Sequence, residues 1–175
     1  MAFADFLRTT VLLCAGAATA LAVVAIVGAQ ADEDTVLLYV AVGWWTAAAL
    51  TGLWLGRRPD VTDGIGRLLA GARATQTLPP LQPGTVVFNR LWALLLVTVA
   101  SGAVAFLIPQ VPAIAAGYAL LIALAWRRQS RAVEAVEQRD GVRFWVESSS
   151  PFKPTQLVRT PGFRKNEPAP HDVRA

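Results

Sequence analysis

Three stretches of the chain contain no Asp, Glu, Lys, Arg or His: residues 9–31, 35–56 and 91–126. With a helical rise of about 1.5 Å per residue and a hydrocarbon layer about 30 Å thick, about 20 apolar residues cross a bilayer. The first two stretches meet that length once each. The third is 36 residues long and is interrupted by Pro109-Gln110-Val111-Pro112, where two prolines forbid a continuous helix. It therefore predicts a hairpin. The expected fold is an all-α integral membrane protein with four transmembrane helices in two hairpins, over about 9–30, 35–56, 91–108 and 112–128. A membrane unit over 1–128 would be followed by a helix extension and a Pro/Arg-rich tail over 129–175.

The connection over 57–90 is too long for a simple turn. Within it Ile65, Leu68, Leu69 and Ala72 recur at helical spacing while Arg67 and Arg73 point elsewhere. This predicts a short helix capped by Thr62 or Asp63, its apolar face lying in the lipid headgroup boundary. Leu78-Pro79-Pro80-Leu81-Gln82-Pro83-Gly84 reads as a polyproline linker back to the membrane. After Trp126 the helical period continues in polar form to Arg139-Asp140, and Gly141 supplies the stop.

Past that stop, Val142, Phe144 and Val146 alternate with Arg143, Trp145 and Glu147, the pattern of a half-buried strand. No second convincing strand is legible, so three readings stay open: an extended interfacial segment, a strand added to a partner or another copy, or continued helix. The remaining tail spaces apolar anchors and basic residues between prolines, in the manner of an extended peptide ligand or a solvated tail. The residues assigned to docking of a partner or of anionic lipid are Arg143, Phe144, Trp145, Val146, Phe152, Lys153, Arg159, Phe163 and Arg164. Ser150-Pro151 and Thr160-Pro161 are candidate phosphorylation sites.

Charge orients the spans. Of the 16 Lys and Arg residues, Arg8 precedes the first span, five lie in 57–90 and ten follow Trp126, whereas the first opposite loop carries Asp32-Glu33-Asp34. The positive-inside rule places both termini in the cytoplasm and the protein in the cell membrane. Trp54, Trp92 and Trp126, each within three residues of an Arg, are the expected interfacial anchors. A composition 54% apolar and only 16% charged excludes an ordinary soluble domain, and the pI near 10.0 then reports topology. Residues 131–175 hold eight basic against six acidic side chains, too even a mixture for a phosphate-tracking stripe, so nucleic acid is not an expected partner.

Little catalytic chemistry is present. The spans carry no ionisable side chain, the single Cys14 excludes an intrachain disulfide or a CxxC site, and His171 stands alone. Neither a cofactor, a metal nor an enzymatic activity is expected. Hydroxyls such as Thr10, Thr19, Thr46 and Thr98 are read as groups that satisfy their own helix. Gly16 with Ala20, and Gly52 with Gly56, have the spacing that lets helices approach closely, either within this chain or against a partner. Trp44-Trp45 lies mid-span, for packing or for a slot holding a lipid- or quinone-like ligand. Ala29-Gln30-Ala31 also matches a leader cleavage site, but the preceding apolar run is of spanning length, which favours its retention. The function expected is a non-catalytic accessory or scaffold component of the membrane that docks its partner or anionic lipid through the basic loop and tail. The alternative is a small carrier or channel subunit that works as an oligomer.

Overall fold

The computed structural model describes residues 1–31, 33–57, 60–75, 83–105, 107–108, 110–147 and 156–161. Four of its helices are long and apolar enough to cross a membrane. Helix α1 covers Phe3–Ala31, α2 Thr35–Leu55 and α4 Pro83–Val104, and the fourth, Gln110–Asp140, is α5, Gln110–Trp126, continuing into α6, Gln129–Asp140. The short helices are α3, Asp63–Ala70, and α6; the strands are β1, Arg73–Ala74, β2, Val142–Val146, and β3, Leu157–Pro161.

Helix α5 packs against both α1 and α2. The buried stripe of α1, which includes Leu7, Thr10, Cys14, Ala18, Leu21, Ala25 and Ala29, advances by three or four residues at each step and is mostly small, so the helices come close without large interlocking side chains. On α2 the close approach is absolute. A Cβ on Gly52 would lie 2.8 Å from the Leu121 carbonyl oxygen, and one on Gly56 would run into the Leu124 carbonyl. The spacing of Gly52 and Gly56 thus serves contact within the chain. Asp34 caps α2 by accepting the Leu37 N–H at 2.9 Å.

The hairpin between α4 and α5 forms where the prolines require it, with one shift. Pro112 lies inside the first turn of α5, which begins at Gln110, because a first-turn residue has no intrahelical N–H bond to lose. At the other end, α4 starts at Pro83, about two turns before its uncharged run. These two turns are amphipathic protein-facing helix: Val86 is buried in a core outside the apolar spans.

That core departs from the all-α expectation. Beneath a three-stranded sheet of order β1-β3-β2, Phe3, Phe6 and Leu7 of α1 meet Ile65 and Leu69 of α3, Val133 of α6, Phe144 and Val146 of β2 and Leu157 of β3. Strand β3 is the partner that the sequence pattern hid. It runs antiparallel to β2, pairing Arg143 with Thr160 and Trp145 with Val158, and parallel to β1, pairing Arg73 with Val158. Within the tail, Leu157–Pro161 is therefore strand. Helix α3 has the anticipated apolar face, but Ile65, Leu69 and Ala72 are buried against protein and not in a headgroup layer.

The last long helix is also divided. Helix α5 ends at Trp126 and α6 begins at Gln129, whose buried side chain accepts the Thr62 N–H at 3.1 Å. Arg128 donates to the Arg57 carbonyl oxygen at 3.2 Å. These bonds tie the break in the helix to the start of the loop. Gly141 then stops α6 with φ of 64°, the left-handed conformation that favours glycine.

Candidate docking surface

Strand β2 sorts its side chains by alternation. Phe144 and Val146 are buried beneath the sheet, whereas Arg143 is exposed and Trp145 half-buried on the other face. Of the docking residues expected from sequence, Phe144 and Val146 are thus core residues. Burial of each stabilises the sheet by about 1.5–3 kcal/mol and leaves nothing for a partner to touch. Arg143 and Trp145 remain available. The Trp145 indole N–H donates to the Thr160 hydroxyl at 3.0 Å, and the Arg143 guanidinium carbon lies 5.9 Å from the indole centroid. The hydrogen bond holds the ring against β3, and the cation over its face fixes where the positive charge sits.

The free edge of β2 is already used. Its outward amides belong to Phe144 and Val146; the first donates to the Glu137 carboxylate at 2.9 Å and the second to the Met1 carbonyl at 3.0 Å. Ala2 continues this contact as an isolated antiparallel bridge to Trp145. A partner strand would find these donors occupied, so the geometry favours recognition through side chains over strand addition. Burial pushes the Glu137 carboxyl above the usual carboxylate range, against the opposing pull of the Phe144 N–H and of Arg143.

A cleft of about 650 Å³ opens beside this edge, lined among others by Asp5, Glu134, Glu137, Arg143 and Trp145. Arg159 is exposed on β3 and its carbonyl oxygen accepts the Thr75 N–H at 3.0 Å. Phe152, Lys153, Phe163 and Arg164 lie outside the described residues, as do Ser150-Pro151 and His171. Trp54 and Trp126 are exposed at the ends of α2 and α5, while Trp92 lines a groove between α4 and α1.

Residues that the chain places within the bundle have visible partners. Trp44 and Trp45 donate to the Ile114 and Ala113 carbonyl oxygens at 3.1 and 2.8 Å, using both indole N–H groups to join α2 to α5. Gly117 makes room for Trp44, whose ring occupies the place of a Cβ, and Tyr118 meets the same indole edge-on at 5.2 Å. Thr10, Thr19, Thr46 and Thr98 each donate to the carbonyl four residues back in their own helix, at 2.8–3.0 Å. Among the described residues no cluster of three or more His, Cys, Asp or Glu side chains has the arrangement to hold a metal ion.

Comparison with protein-family models, with curated proteins and with solved structures finds no match.

Proposed function

We propose that the four long helices cross the cell membrane with both termini cytoplasmic, and that the chain is a non-catalytic accessory or scaffold component. Its cytoplasmic head, the sheet with α3 and α6, docks a protein partner or an anionic lipid surface. The observation that carries this reading is the outward pair Arg143 and Trp145, held on a folded strand at the same end of the bundle as Arg57 and Arg128. An indole and a guanidinium on a rigid base are the side chains that most often anchor interfaces. The arginine excess at this end supports its cytoplasmic placement.

Removing the tail after Arg139 is a poor test of docking, because Phe144, Val146 and Leu157 belong to the core. Point variants separate docking from folding. Affinity purification in mild detergent should recover a partner with the wild-type chain and lose it with Arg143→Ala plus Trp145→Ala; the same co-purifying proteins from both would sink the docking role. A reporter fused after Ala175 that is active only on the exported side would overturn the orientation.

A further inference from the structure

Helices α1 and α4 do not close on each other along their length. They leave a groove of about 410 Å³ whose walls include Leu12, Gly16 and Ala20 of α1 and Phe88, Trp92 and Leu95 of α4. The small residues here act opposite to those on α2. A Cβ added at Gly16 would meet nothing within 4 Å, whereas one at Gly52 would strike the α5 backbone. Gly16 and Ala20 thus hold space open where Gly52 and Gly56 close it.

The lining selects an occupant. Positions 12 to 20 on α1 span about 12 Å of helix. Apart from the Thr98 hydroxyl, which donates to the Leu94 carbonyl oxygen, and the Trp92 indole, the walls carry only apolar side chains, and apolar space of this kind takes up apolar molecules such as a hydrocarbon chain. Charge marks one end of the groove. Arg8 precedes Leu12 by one turn on the same side of α1; it is exposed and, among the described residues, has no hydrogen-bond or ion-pair partner. Helical side chains lean toward the N-terminus, so its guanidinium extends away from the apolar run toward the headgroup level.

We propose that the α1–α4 groove binds one anionic phospholipid, an acyl chain lying along Gly16 and Ala20 and the phosphate paired with Arg8. The inference rests on the membrane-spanning reading above, which carbonate extraction tests by itself: a chain that stays in the membrane pellet but holds no lipid loses only this site. The full-length protein, delipidated in detergent, is titrated with phosphatidylglycerol or phosphatidylcholine, and retained lipid is counted by native mass spectrometry. One phosphatidylglycerol per chain is expected, bound about fivefold more tightly than phosphatidylcholine, the factor that one arginine contributes near an anionic headgroup. Arg8→Gln should erase that preference while leaving the weaker binding. Gly16→Leu and Ala20→Leu, two independent fillings of the groove, should abolish retention of both lipids in chains that remain monodisperse. Equal binding of the two lipids by the wild type, or undiminished retention in the monodisperse filled variants, would overturn the proposal. Competition by inorganic phosphate would assign Arg8 to a soluble anion and overturn it as well.

Discussion

Phe144→Ala probes whether the sheet and the helical bundle are one cooperative unit. Phe144 is 4% exposed and packs into the core shared by α1, α3, α6 and the sheet. Truncating such a phenylalanine costs about 3–5 kcal/mol, the lost transfer energy plus the cavity left behind. This core is small and has only one layer of strands above it, so the cavity has few neighbours able to collapse into it. The contacts that join α2 to α5, namely Trp44, Trp45, Gly52 and Gly117, lie elsewhere. The cost should therefore fall on opening of the head alone, whose equilibrium rises by about 10² to 10³·⁵. Hydrogen exchange read by mass spectrometry in detergent should show protection collapsing over 142–146 and 157–161, with α2 and α5 unchanged. Arg143→Ala, which removes an exposed side chain from the same strand, should shift protection of the sheet by less than a factor of about three. Unchanged protection of β2 in Phe144→Ala, or an equal loss in α2 and α5, would refute the reasoning.

Three further outcomes follow from other contacts. Because burial raises the Glu137 pKa, the folded chain binds more protons than the unfolded one between the ordinary carboxylate value and the raised one, and stability falls as pH rises through that window. Melting in detergent should show this slope in the wild type and lose it in Glu137→Gln, whose amide oxygen still accepts the Phe144 N–H; an equal slope in both would exclude Glu137 as its source. Gly117→Leu should displace Trp44 and weaken the α2–α5 seam, read as a red shift or loss of intensity in tryptophan emission relative to Gly102→Leu, where a Cβ meets nothing within 4 Å. Gln129→Leu strands the Thr62 N–H and the Asp60 carbonyl, costing about 1–3 kcal/mol; a melting temperature unchanged from wild type would show that water replaces the amide there.

The long helices were legible because absence of charge over 20 or more residues is a one-dimensional signal, and the stop at Gly141 because only the backbone conformation matters there. Strand β2 was legible from alternation. Its partner was not: Leu157 and Val158 are both buried in succession, Pro161 ends the segment, and the ten residues between the strands give no tight-turn signal. Without β3, the sequence shows no protein partner for the apolar face of α3, which leaves lipid as its expected cover. The same gap placed Phe144 and Val146 among docking residues when they are core. Gln129 is not legible, because a glutamine between Arg128 and Ser130 looks like solvated helix; its role arises only from the Asp60 carbonyl and the Thr62 amide, about 70 positions earlier in the chain.

The pairing of Met1 and Ala2 with β2 has a consequence in time. Leu7 and Leu157 share one core although they are 150 positions apart, so the first turns of α1 must wait for β3. At about 5–20 residues per second, Phe3 and Phe6 stay uncovered for about 8–30 s after they emerge, while the helices between are laid down. The head is thus a late-closing unit: its core is covered only on chains whose synthesis has passed β3, and a ribosome stalled before β3 leaves that core open.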